Sequence, residues 1–201
     1  MRAVSLIWVS AVVAVLAAGC SGGPTVNNDQ PAPAAPANTA AAPSPPPPSN
    51  RHLANAFDYV AYPPTGTSYF FTSPSGAWAC AILPRVKVGC QSTDNWPSAM
   101  GITGEPDSVP DAAGEDAAPN AVIVPRDGDA RFVALERSEF ALDPGPAKVL
   151  PFNRILAAAD FRCNVQEATG VSCLSETSGK GFTFSPDGFV PQYTDVPAEA
   201  P

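Results

Sequence analysis

The chain has 201 residues with a formal net charge of -8, a pI near 4.4, five cysteines and one histidine. That acidity excludes nucleic acid as a partner, because phosphate binders present basic surfaces. The sole histidine, His52, falls in a stretch read below as a tether, which leaves the folded region without a Ser-His-Asp or Cys-His set.

Met1-Arg2 is followed by an apolar run from Ala3 to Gly19, interrupted by Ser5 and Ser10, that ends at Cys20. This is the layout of a signal peptide. A spanning helix needs roughly 20 apolar residues, and this run falls short before Ser21-Gly22-Gly23-Pro24 ends it. Leu16-Ala17-Ala18-Gly19-Cys20 resembles a bacterial lipobox, in which the cysteine is thioether-linked to diacylglycerol and becomes the first mature residue. It departs from that pattern in having Ala17 where a larger aliphatic usually stands. The alternatives are an uncleaved short anchor, or ordinary cleavage that leaves Cys20 a free thiol; both still export the chain. The expected location is the extracytoplasmic face of the cell membrane, with Cys20 as the lipid anchor, since acylation by two chains holds a protein stably.

Residues 20–55 are dominated by Pro, Ala, Ser and Asn, including Pro45-Pro46-Pro47-Pro48, and build no core. A spacer of roughly thirty residues in polyproline II, rising ~3.1 Å per residue, reaches several tens of ångströms. The expected organisation is a signal peptide over 1–19, a lipidated cysteine and disordered linker over 20–55, one domain over 56–195 and a disordered tail over 196–201. The one helical candidate is Asn50 to Val60. Asp94, Glu105, Asp107, Asp111, Glu115 and Asp116, with no Lys or Arg among them, read as a long, solvated, mobile loop.

Short aromatic and β-branched runs bounded by turn signals indicate strands at 69–72, 77–82, 86–90, 121–124 and 131–135. Ser73-Pro74-Ser75-Gly76 and Ser185-Pro186-Asp187-Gly188 place Pro and Gly where a type I turn seats them, and Asp127-Gly128 reverses the chain between two apolar runs. The fold expected is all-β, a small barrel or sandwich of about eight to ten strands. Cys80 and Cys90 have the same spacing as Cys163 and Cys173, with apolar positions matching on both arms. Each pair reads as a hairpin with its cysteines opposed across a turn, and bridges within each hairpin follow. Cross-linking of the two hairpins is the alternative connectivity. The odd cysteine is then Cys20. The Ser-Pro-x-Gly turn precedes the first hairpin and follows the second, so the two halves read as permuted copies.

Phe71-Thr72-Ser73-Pro74-Ser75-Gly76-Ala77-Trp78-Ala79-Cys80, Val88-Gly89-Cys90, Leu150-Pro151-Phe152, Phe161-Arg162-Cys163, Gly170-Val171-Ser172-Cys173 and Ser178-Gly179-Lys180-Gly181-Phe182 together resemble an uncharacterised family of actinobacterial, especially mycobacterial, exported proteins. Its motif reads Phe-x-Ser-Pro-Ser-Gly-x-x-x-Cys, and the likeness covers most of Tyr69 to Phe189. Lys180 stands where members usually have His, and an extra central cysteine pair is missing. The resemblance implies export and a disulfide-stapled scaffold, and it carries no reaction.

Four cysteines without histidine at zinc spacing read as disulfides, and no phosphate loop or dinucleotide fingerprint occurs, so no metal or cofactor is expected. Asp127 with Asp129, or Glu136 with Glu139, are the paired carboxylates that a glycosidase would need. Ser178 with Lys180 sits among glycines in an exposed turn, and the acidic loop lacks the ligand pattern of an EF-hand. The aromatic residues outnumber what one strand face buries, and an exposed minority forms a binding platform. Trp96, opening the acidic loop, and Trp78 are the candidates. The leading expectation is a non-catalytic domain that binds a glycan, peptide or protein of the cell envelope; the alternative is a carboxylate-dependent hydrolase of envelope polysaccharide.

Overall fold

The alternation along Phe161–Gln166 shows how the sheets are built: Phe161, Cys163 and Val165 belong to the central core, while Arg162, Asn164 and Gln166 face the other way. The computed structural model describes residues 50–201 and contains thirteen strands among them. They are β1 (Val60–Ala61), β2 (Ser68–Thr72), β3 (Trp78–Leu83), β4 (Lys87–Ser92), β5 (Val109–Pro110), β6 (Asp116–Ala117), β7 (Ala121–Pro125), β8 (Arg131–Val133), β9 (Ile155–Ala158), β10 (Phe161–Gln166), β11 (Gly170–Ser175), β12 (Gly181–Ser185) and β13 (Gly188–Val190). The all-β expectation holds, and the architecture is a sandwich of two open sheets plus a small β5–β6 hairpin. The strands exceed the expected number because β1, β5 and β6 are two-residue pieces, too short to show a period.

The first sheet runs β1-β2-β3-β4-β7-β8 and the second β13-β12-β11-β10-β9. The chain therefore makes the same five-stranded meander twice, β2-β3-β4-β7-β8 and then β9-β10-β11-β12-β13. The halves are in direct order, which corrects the permuted reading. The Ser-Pro-x-Gly turns are not equivalents: the second lies between β12 and β13, where the first half carries Asp127-Gly128 between β7 and β8. What distinguishes the halves is an insertion between β4 and β7.

Cys80 pairs with Cys90 in the β3–β4 register and Cys163 with Cys173 in β10–β11, each at a Cα separation of 4.1 Å. Both disulfides form within their hairpins. All four cysteines are fully buried between the sheets with Phe71, Trp78, Phe161, Phe182 and Phe184. A closed loop of this size contributes about 2 to 3 kcal/mol by restricting the unfolded chain.

Each sheet also buries its outer face. Residues 134–147 cross the first sheet, and Phe140 seals a second apolar cluster with Phe70, Ala81, Ala121 and Ile123. The Gln91 side chain fixes that segment by accepting the N–H groups of Glu139 and Phe140 at 3.2 and 3.0 Å. Phe140 fits because position 89 has no side chain. The second sheet is polar outside, and the C-terminal segment straps it: Asn164 Nδ2 donates to Tyr193 Oη and to the Thr194 carbonyl, both at 2.9 Å.

Three sequence expectations are corrected at the domain's edges. Residues 50–55, read as part of the linker, are packed against the domain. His52 is only 4% exposed, and Leu53 bridges to Ile155, whose carbonyl accepts the Ala54 N–H at 2.8 Å. Backbone pairing of this kind leaves no mark in composition. The helix over Asn50 to Val60 is replaced by two 3-10 turns, Asn50–His52 and Ala56–Asp58, because the Asn55 side chain accepts the Phe57 N–H and caps the second. The tail 196–201 is held at its start: Val196 is buried, and the Ala198 carbonyl accepts from Arg51 Nη1 at 3.3 Å. Residues 1–49, including Cys20 and the expected signal peptide and most of the expected linker, lie outside the described residues.

The acidic stretch is a folded insertion rather than a mobile loop. Met100 and Ile102 plug into the core, and the Asp111 carboxylate closes the β5–β6 hairpin by accepting the N–H groups of Ala113 and Glu115 at 2.8 and 2.9 Å. Glu105 accepts from the Gly101 and Ile102 N–H groups. These carboxylates satisfy turns, a use that charge counting does not reveal.

A Cβ on Gly89 would lie 2.5 Å from Phe140 Cζ and 2.7 Å from the Val122 carbonyl. Gly89→Ala is therefore expected to destabilise the domain by about 1 to 3 kcal/mol through overpacking. Thermal denaturation checks this: the midpoint should fall by several degrees, and Gly188→Ala, where a Cβ meets open space, should leave it nearly unchanged.

Candidate binding cleft

The two Ser-Pro turns, distant in sequence, meet at one end of the sandwich. In the first, Gly76 takes a φ of 75° and donates to the Ser73 carbonyl at 2.9 Å, while Ser73 Oγ accepts the Trp78 N–H at 3.2 Å. In the second, Ser185 Oγ accepts the Asp187 N–H at 3.2 Å, and the Gly188 that follows opens β13. Between them lies a cleft of about 360 Å³ whose walls include Pro74, Trp78, Phe152, Glu167 and Asp187. It continues into a recess of about 480 Å³ that shares Ser185 and Asp187 and is bounded by Phe189, Gln192 and Thr194.

Trp78 forms the floor. Its ring meets Phe184 edge-on, with centroids 4.9 Å apart and planes at 88°, and only 8% of its surface stays exposed. The rest of the ring is core. Phe152 is the exposed aromatic at the rim, at 41%. Trp96 is half-buried and lines neither the cleft nor the recess. Phe152 was not singled out in the sequence, although the Leu-Pro-Phe triplet that carries it is one of the motifs behind the family resemblance. The recurrence of Ser-Pro-x-Gly was the other signal.

The charged groups lining the cleft and recess are Glu167 and Asp187; no Lys or Arg lines either. Such a surface suits hydroxyl-rich or cationic groups. The carboxylate pairs marked in the sequence lie elsewhere. Asp129 is paired with Lys180 at 3.1 Å beside the β7–β8 turn, and Glu139 with Lys87 at 2.7 Å. Asp127 is exposed in that same turn, and Glu136 borders a separate recess of about 230 Å³. Lys180 Nζ thus pairs with a carboxylate, while its backbone N–H donates to Ser178 Oγ at 3.3 Å. His52, though inside the folded region, does not line the cleft, and its Nε2 has no hydrogen-bond partner among the described residues.

The far wall of the recess is the C-terminal strap. Thr183 Oγ1 lies 2.7 Å from the Gln192 carbonyl and 2.9 Å from Thr194 Oγ1, and Tyr193 tucks against Asn164. No family model matches the chain, and neither does any curated protein or solved structure. What the cleft does is therefore read from its own residues.

Burial pushes the Tyr193 hydroxyl well above the usual tyrosine range. A group whose folded pKa is raised gives stability that is complete below its unfolded value, about 10 for tyrosine, and lost as pH rises further. The expected outcome is a melting temperature that drops above about pH 10, with a smaller drop in Tyr193→Phe than in wild type. Thermal melts across an alkaline series, followed by tyrosinate absorbance, measure it.

Proposed function

We propose that this is a lipid-anchored protein of the cell envelope, held through Cys20 at the extracytoplasmic face, whose β domain binds a glycan, peptide or protein partner in the cleft between the two Ser-Pro turns. The observation that carries the binding reading is the cleft itself, with an aromatic floor and rim at Trp78 and Phe152 and polar walls around them. An aromatic surface ringed by polar groups is how sugars and extended peptides are gripped. The anchor reading draws support from the lipobox-like Leu16-Ala17-Ala18-Gly19-Cys20 and from cysteine parity: with Cys80–Cys90 and Cys163–Cys173 bridged, Cys20 is the thiol the domain does not use. Two disulfides also suit an oxidising compartment. No helix among the described residues is long and apolar enough to cross a membrane. The likeness to the actinobacterial exported family points the same way.

One observation favours a second reading. Glu167 and Asp187 line the same cleft, so two carboxylates flank whatever enters it, as a glycan hydrolase requires.

Replacing Trp96 by Phe in a chain that starts at residue 20 leaves Trp78 as the sole indole. Titration of that variant with solubilised peptidoglycan and envelope polysaccharide fragments should shift its emission saturably, and Phe152→Ala should weaken the response at least about tenfold. Emission indifferent to every fragment and to envelope-derived peptides would sink the binding reading. New reducing ends that vanish in Glu167→Gln would put the hydrolase in its place. Metabolic labelling tests the anchor separately: the protein should incorporate labelled palmitate, and Cys20→Ala should abolish the incorporation.

A further inference from the structure

Seven large apolar side chains are prominently exposed among the described residues, and five of them fall in two short segments: Leu53, Phe57 and Tyr62 in one, Val149 and Phe152 in the other. Phe57 is 84% exposed and Tyr62 76%, and it is the clustering of such side chains, not their exposure singly, that marks an interaction surface. The two segments are laced together. Tyr59 Oη donates to the Val149 carbonyl at 3.3 Å, Lys148 Nζ meets Asp58 at 2.8 Å, Arg154 Nη1 donates to the Arg51 carbonyl at 2.9 Å, and Leu53 bridges to Ile155. The five side chains thus share one edge of the domain, along β1.

The two segments differ in charge from the rest of the molecule, and the tail that meets Arg51 through the Ala198 carbonyl adds one acid, Glu199. Residues 51–62 and 148–155 hold three basic groups, Arg51, Lys148 and Arg154, against one acid, Asp58, while the whole chain carries -8. This edge is also where the N-terminal segment departs: the described residues begin at Asn50, three positions before Leu53, and everything between them and the apolar run ending at Cys20 lies on that side of the sequence.

We infer that this edge is a membrane-lying face, seated on a bilayer that contains anionic lipid, with Phe57 and Tyr62 entering the headgroup layer and Arg51, Lys148 and Arg154 meeting lipid phosphates. Aromatic rings settle at the boundary between headgroups and acyl chains, and nearby basic side chains add electrostatic attraction to an anionic leaflet. The tether of roughly thirty residues permits this posture, because its extended reach is a maximum and not a fixed stand-off. The face rests on the anchored reading for the protein's location only, since it can be measured on a chain with no lipid attached.

The test is flotation of the mature chain carrying Cys20→Ser with vesicles of about 70% phosphatidylcholine and 30% phosphatidylglycerol. Wild-type sequence at the face should float with the vesicles, and F57S/Y62S should float at least about tenfold less with an unchanged melting temperature, both side chains being exposed. Tyr62→Trp supplies a second readout, a blue shift of emission on adding vesicles. R51Q/R154Q should lose binding to the anionic vesicles at low salt. Failure of the Cys20→Ser chain to float under any of these conditions overturns the inference while leaving the anchor intact. A concentration-dependent dimer that F57S/Y62S abolishes overturns it in favour of self-association. Floating together with an unmodified Cys20 in the cellular protein, seen by intact mass, leaves the face standing and removes the anchor.

Discussion

Two cystines that face inward set the register on which the rest of this domain depends. Side chains in a strand alternate with a period of two, so a bridge between directly opposed residues of a hairpin decides which set faces the core. With Cys80 locked to Cys90, the odd–even choice is made for β3 and β4: Ile82 and Val88 turn inward, and Gly89 turns outward where Phe140 needs room. With Cys163 locked to Cys173, Phe161 and Val165 go inward, and Asn164 and Gln166 are committed to the outer face, where the strap finds them. A slip of one residue would bury the amides and expose the phenyl ring.

The two ends of the sandwich are built differently, and the difference accounts for the cleft at one of them. One end carries the β7–β8, β9–β10 and β11–β12 turns, held by Lys180 to Asp129 at 3.1 Å, by Arg126 to Asp160 at 3.7 Å and by Ser175 Oγ to the Arg126 carbonyl at 2.6 Å. Its ion pairs are exposed and contribute little each, but they bring the turns together and close that end. The other end holds both Ser-Pro turns, the Glu167–Thr169 turn and the inserted β5–β6 segment, whose Thr103 donates to the Pro186 carbonyl at 3.0 Å. Proline has no N–H to donate there, and the serines spend their hydroxyls on the turns themselves. The surfaces between these turns are left open, which is how a cleft arises without any strand being displaced.

Much of this was legible in the residues and some of it could not be. The hairpins, the turns and the cystine connectivity follow from spacing and alternation, which are local. The insertion misled because its carboxylates were counted as net charge, when Asp111 and Glu105 are turn acceptors and Met100 and Ile102 reach the core. The order of the repeat misled because a turn motif was used as a landmark, while strand pairing, a non-local property, defines equivalence. For the candidate site, Trp78 reads from the sequence as an exposed aromatic, whereas the fold leaves it only 8% exposed and sets beside it Phe152, 74 positions later, which no local pattern ties to it. His52 was assigned to the tether because buried backbone pairing leaves no compositional trace.

The hydrogen bond from Arg51 to the Ala198 carbonyl places the first and last turns of the domain side by side. Topologically the domain is a nearly closed ring, with its entry and exit on the same edge and Phe152 at the junction of that edge with the cleft. A short peptide joining the two ends would leave every strand pairing intact, so new termini opened at a loop on the closed end should be tolerated. The same geometry means that a segment fused after Pro201 starts beside Arg51, at the edge where the described residues begin.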